Sequence, residues 1–152
     1  MLIGLPSSGL HSNGFSSVRR IFANEQRPEF TQPTAIYIDK IFGLGQKINI
    51  KGMMHITGGA FTKLKDLLID SDAIIDTPLK PQAIFQALHQ KGINDSDMYK
   101  TFNCGTGFVI AISPQDVEEA LKITEGSIIG KVIKGTGKVK LNSAFTGKQV
   151  QY

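Results

Sequence analysis

SIIGKVIKGTGKVKL, residues 127–141, decides how the fold is read. Ser127–Ile133 and Lys138–Leu141 have strand composition, and Gly135-Thr136-Gly137 between them reads as the turn of a closing hairpin. Upstream, strands and helices alternate. Leu2–Leu5 reads as a strand, Gly14–Asn24 as a helix with Phe15, Val18 and Phe22 on one face, and Ala35–Leu44 as a second helix. Ile48–Ile56 reads as a strand, Phe61–Leu68 as a helix and Ala73–Ile75 as a short buried strand. A helix from Pro81 to Lys91 is followed by a short one over Asp95–Thr101. Gly107–Ile112, GFVIAI, has the apolar density of an interior strand, and Ser113-Pro114 opens a helix to Ile123. Alternation alone would predict a parallel sheet. Two adjacent closing strands make it mixed, so the expected fold is an α/β layered sandwich, a mixed β-sheet covered by helices.

The chain has 152 residues, 41% hydrophobic and 20% charged, enough for one domain with its own core. Residues 1–142 read as that domain, and 143–152 as a tail with little to bury, disordered or partly a remnant added by cloning. The chain enters a strand almost at once, which reads as a piece of a longer protein whose missing part is N-terminal. No apolar run is long enough for a membrane helix, and the N-terminus lacks the pattern of a signal peptide. One cysteine, Cys104, excludes an internal disulfide framework and fits a cytoplasmic setting.

The net charge of +4 is concentrated late: no acidic residue follows Glu125, whereas Lys131, Lys134, Lys138, Lys140 and Lys148 do. Lysines that discourage edge pairing are the plain explanation. A nucleic-acid surface would want interleaved aromatics or arginines, and only Phe145 is present, so no nucleic-acid partner is expected.

Several chemistries are excluded. Gly130 and Gly135 have phosphate-loop spacing, but Thr136 stands where lysine is needed. No nucleophile elbow is present. His11, His55 and His89 are far apart in sequence, so no metal site is expected, and His89 reads as a surface residue.

Three segments remain. In LPSSGLHSNGFSSVRRIF, residues 5–22, Ser7, Ser8, Gly9, His11, Ser12, Asn13 and Gly14 precede a helix whose first amides are unpaired and partly positive. Each residue alone reads as part of a capped turn. The cluster reads as an anion site, with glycines admitting the ligand and Ser, Asn and His supplying donors. HITGG, residues 55–59, ends a strand before a helix, where Thr57, Gly58 and Gly59 suit a phosphate or carbonyl oxygen; a structural histidine before a tight turn is the alternative. TFNCGTG, residues 101–107, precedes the most apolar strand; close backbone packing explains its glycines without a ligand.

Taken in this order, and with PTAIYI at residues 33–38, these segments resemble the C-terminal half of the aminoimidazole ribonucleotide synthetases, the phosphoribosylformylglycinamidine cyclo-ligases of purine biosynthesis. The resemblance runs from Leu2 to Ile112 and more weakly to Leu141. The chain departs from the family pattern at Ala60, usually glycine, and at Asp97 and Lys100, usually glutamate and arginine; lysine loses arginine's bidentate geometry.

The resemblance implies that fold and an ATP-dependent ring closure. ATP activates the amide oxygen of formylglycinamidine ribonucleotide as an iminophosphate, a neighbouring amine closes the imidazole, and ADP and phosphate leave. It implies Mg2+ and ATP in the full-length enzyme, neither needed for this domain to fold. It also implies an N-terminal nucleotide-binding domain absent from this chain, a homodimer, and no activity from this half alone. On this reading the first loop holds a phosphate, and His55, Thr57, Gly58 and Gly59 lie near the reacting amidine. Asn103 and Gly105 line the same cleft, and His11 and His55 are the candidate catalytic residues. The alternatives are a non-catalytic anion-binding module and another ATP-dependent member of the superfamily.

Overall fold

The computed structural model describes residues 1–23 and 25–152. Seven strands form one sheet: β1 (Leu2–Pro6), β2 (Gly52–His55), β3 (Ser71–Ile75), β4 (Thr106–Ala111), β5 (Ser127–Lys134), β6 (Val139–Asn142) and β7 (Gln149–Gln151). Their order is β2-β4-β1-β5-β3-β6-β7. Helices α1 (Phe15–Phe22), α2 (Ile38–Gly45), α3 (Ala83–Gln90), α4 (Asp95–Thr101) and α5 (Val117–Thr124) cover it. The mixed sheet covered by helices agrees with the sequence reading. No helix among the described residues is long and apolar enough to cross a membrane.

Alternation along β1 divides the core in two. Leu2 joins α1, α3 and α4 through Val18, Phe22, Phe85, Leu88, Met98 and Tyr99 on one face. Ile3 and Leu5 face the opposite way and pack with Tyr37, Leu44, Ile110, Ile112 and Ala120 from α2, β4 and α5. Both faces of β1 and β4 are therefore buried, as the GFVIAI run predicts.

The closing hairpin does not form. β5 and β6 do not pair with each other, because β3 lies between them, antiparallel to β5 and parallel to β6. Gly130 is the pivot: residues 127–130 of β5 pair with β1, and 131–134 pair with β3. A Cβ on Gly130 would stand 1.9 Å from the Ile74 carbonyl oxygen, so only glycine permits this approach. The connection then passes over the start of β3 and is bound to it. Gly135 N–H donates to Asp70 O and Gly137 N–H to Ser71 O, each at 3.0 Å. The Asp72 carboxylate accepts from Thr136 N–H at 2.7 Å and Lys138 N–H at 2.9 Å. The lysines of this segment accordingly project from interior strands and do not guard an edge; the edges are β2 and β7.

The C-terminal tail also differs from expectation. It contributes β7, antiparallel to β6. Phe145 stacks on His89 at 4.7 Å, and the Tyr152 hydroxyl donates to Ser96 O at 2.6 Å. His89 is not a free surface residue, since Nε2 lies 2.7 Å from Asp95 Oδ1 and the other carboxylate oxygen accepts from the Thr146 hydroxyl. Smaller shifts occur at element ends. α2 begins at Ile38, three residues after Ala35, and Phe61–Leu68 falls on a 3-10 turn over Ala60–Leu67. A 3-10 turn over Pro114–Asp116 precedes α5. The predicted first helix extends to Asn24, which lies outside the described residues.

Candidate functional site

The three segments meet at one end of β1, β2 and β4. His55 is the last residue of β2 and pairs in register with Phe108 of β4. The loop leaving β1 carries His11 back over the same strand end, its rings 5.8 Å from His55 and 6.3 Å from Tyr37. Gly107 lies directly beneath: a Cβ there would reach within 1.8 Å of the Tyr37 hydroxyl oxygen and 3.0 Å of His11 Cε1. Tyr37, just before α2, donates its hydroxyl to Pro6 O at 2.8 Å. His11, Tyr37, His55 and Phe108 thus form one aromatic cluster, with Phe108 stacked on His55 at 17°.

The loop is tied down from below. Asn103, 2% exposed, donates Nδ2–H to Gly9 O at 2.8 Å and accepts from Gly105 N–H on Oδ1 at 2.9 Å. Ser7 N–H donates to Gly105 O at 2.9 Å, and Gln82 at the start of α3 donates to Ser7 O at 2.6 Å. These bonds correct part of the expected ligand set. Asn103 and Gly105 do not line a cleft; they are buried under the loop with their polar atoms engaged. Gly9 is buried there too, and Ser7 is buried against Gln82. Ser8 is also committed: its hydroxyl donates to Pro33 O at 2.6 Å and its amide to His11 Nε2 at 3.1 Å. An Asn in a turn uses its side chain to hold backbone as readily as to hold ligand, and sequence cannot separate the two.

On the near side of the loop Ser8 and Gly9 line a cavity of about 330 Å³ with Pro28, Gln32 and Gln82, and the far side is open as well. Ser12 is exposed and Asn13 and Gly14 are half-buried, at the N-terminus of α1. Thr57, Gly58 and Gly59 come up beside them; Asn13 Oδ1 lies 3.5 Å from where a Cβ of Gly58 would be. Arg19 and Arg20 lie in the last turn of α1, away from this end. On the other side of His55 is a groove of about 450 Å³ between α2 and β2, lined by Tyr37, Ile41, Met53, His55 and Phe108. Its rim is apolar and exposed, with Ile36 at 84%, Ile38 and Phe42 at 68% and Met53 at 49%.

The electrostatics favour neutral imidazoles. Burial pushes the His11 pKa below its ordinary value, and the nearby His55 charge adds to this. Burial lowers His55 likewise and pushes the Tyr37 phenol up to about 12. Burial also pushes the Cys104 thiol well up, so it is no nucleophile. Among the described residues no three or more His, Cys, Asp or Glu side chains are grouped to hold a metal ion.

Sequence reasoning passed over Tyr37, Phe108 and Gln82 as site residues. PTAIYI carried a signal for Tyr37; nothing local marked Gln82, whose role depends on where α3 begins.

A glycine-bearing loop running into the N-terminus of α1 beside a histidine pair, on a mixed sheet covered on both faces, is the arrangement that the three segments build. The chain belongs to the family described as AIR synthase related protein, C-terminal domain, whose model matches residues 1–142. It is 38% identical to phosphoribosylformylglycinamidine cyclo-ligase of Methanothermobacter thermautotrophicus over 99% of this chain and 49% of that protein. It is equally identical to the enzyme of that name from Clostridium perfringens, over 80% of this chain and 40% of that one. It therefore spans about half, or less, of these curated relatives. Among solved structures the fold is similar to hydrogenase maturation protein HypE, with TM-score 0.65, 14% identity and coverage of 98% of this chain and 51% of that one.

Proposed function

We propose that this chain is the C-terminal half of an ATP-dependent cyclo-ligase that closes formylglycinamidine ribonucleotide to aminoimidazole ribonucleotide, with release of ADP and phosphate. The observation that carries this reading is the convergence of three distant segments on one strand end, where His11, His55, Asn13 and Gly58 adjoin. Ser12, Asn13, Thr57, Gly58 and Gly59, with the first amides of α1, hold a phosphate of the substrate or nucleotide. His55 lies toward the reacting amidine. Asn103, Gly105, Gly9 and Ser7 keep the loop in shape for this, and positioning of both reacting nitrogens supplies much of the rate.

The rest of the enzyme supplies the nucleotide-binding domain, the magnesium ligands and the homodimer contacts; the apolar rim at Ile36, Ile38, Phe42 and Met53 is the face it covers. On this reading residues 1–152 by themselves turn over neither ATP nor substrate. Two experiments test the reading. A phosphate analogue titrated into the chain and into a Ser12→Ala, Asn13→Ala variant should bind the variant at least tenfold more weakly, and equal affinities would remove the loop assignment. Turnover by the pure chain would contradict the division of labour.

A further inference from the structure

Two buried nitrogens at the site have no hydrogen-bond partner among the described residues: Nδ1 of His11 and Nε2 of His55. A polar atom left unpaired out of water loses its hydration with nothing in return. Two of them occur on rings that neighbour each other at 5.8 Å and 58°. Ring centroids at this separation leave a gap that a small movement of the two rings would close, or that one water would span.

The direction of the missing bond is fixed from the opposite side of His11. Ser8 N–H donates to Nε2, and a ring nitrogen that accepts carries no proton. A neutral imidazole has one N–H, so that of His11 is on Nδ1, which is a donor. His55 Nε2 can satisfy that donor only as an acceptor, which leaves the His55 proton on Nδ1.

We propose that His11 and His55 form a directed imidazole pair, His11 Nδ1–H toward His55 Nε2, which makes His55 Nδ1–H the donor offered to the groove and His11 a positioning residue. The ligand portion met there carries an acceptor, a carbonyl oxygen or an unprotonated ring nitrogen, against the apolar wall of Phe108 and Met53. His11 is then no base toward substrate. The same contact argues against a metal ion shared by the two rings. A ligating histidine donates its other N–H outward, whereas the other nitrogen of His11 accepts. The assignment of ligand rests on the function proposed above; the proton positions do not.

Long-range proton–nitrogen correlation spectra of the chain with 15N-labelled histidine, at pH 8 and without ligand, read the tautomers directly. His11 and His55 should both show protonated Nδ1 and unprotonated Nε2. Protonated Nε2 on either ring overturns the pair. In His11→Phe the His55 signal should lose its single tautomer, and an unchanged His55 in the folded variant overturns the coupling; should that variant not fold, the parent spectrum decides alone. Zinc at one equivalent should leave both rings unshifted, and a joint shift would replace the pair by a metal site. Inorganic phosphate added to a uniformly 15N-labelled sample separates the two readings: no response at the Ser12 and Asn13 amides sinks the phosphate loop but leaves the tautomers standing.

Discussion

The ring of Phe102 occupies the space that a side chain on Gly14 would need. A Cβ there would stand 2.1 Å from Phe102 Cε1, and the backbone at Gly14 has φ of 75°. Phe102 directly precedes Asn103, which holds Gly9. The first loop and the TFNCG turn are therefore packed and hydrogen-bonded as one unit.

Gly14→Ala tests that unit. The left-handed conformation costs an L residue about 1–2 kcal/mol, and displacing the ring adds about 1–3 more. A loss of about 2–5 kcal/mol in urea unfolding is expected. A loss below about 1 kcal/mol would show that Phe102 yields freely.

Asn103→Ala leaves the Gly9 carbonyl and the Gly105 amide buried without partners. At about 1–3 kcal/mol each, destabilisation of about 2–6 kcal/mol is expected. Asn103→Asp keeps an acceptor for Gly105 but sets a carboxylate oxygen against Gly9 O, so it should be no milder. Chemical denaturation of both variants checks this, and near-parent stability of either would contradict it.

Stability should fall as pH drops below about 6.5. Burial holds the folded-state pKa of His11 and of His55 below the unfolded value, so the unfolded chain binds more protons as pH falls through this range. The groups facing the two rings are the Tyr37 hydroxyl and Phe108, and neither histidine forms an ion pair with a carboxylate among the described residues. Unfolding midpoints measured from pH 7.5 to 5.5 should decline in the parent and decline less in His11→Phe. An equally steep variant would contradict the assignment.

Asp72 acts in a lower window. Backbone donation from Lys138 and then Thr136 holds its carboxyl below the usual carboxylate range. Its contribution is complete above the unfolded value of about 3.9 and is lost as pH falls through the lower folded-state pKa. Asp72→Asn should flatten the acid limb of stability below about pH 4, measured by thermal unfolding. An acid limb identical to the parent's would contradict this.

Local pattern revealed most of the architecture. GFVIAI identified a strand buried on both faces, and Ile84, Phe85 and Leu88 marked the inward face of α3. The hairpin error has a definite cause. Two strands joined by Gly-Thr-Gly satisfy every short-range rule for pairing, and the deciding interactions are the amides donated to Asp72, remote in sequence. The tail error is similar, since the Phe145 ring and the Tyr152 hydroxyl find their partners on α3 and α4, and the Tyr152 backbone finds its own on Val139 of β6. At the site, the segments that converge were legible as motifs. Which polar atoms face ligand and which hold backbone was not, because Asn103 and Ser8 have the same chemistry in either role and only the fold assigns it.

The insertion of β3 between β5 and β6 bears on how the molecule assembles. The last stretch of the chain, from β5 onward, cannot zip up by itself from its own turn. It must wait for a segment made much earlier to arrive and be gripped on both sides, and one of those grips is parallel. Long-range closure of this kind slows folding, and Ile128, Val132 and Ile133 stay exposed to other chains even when it is complete.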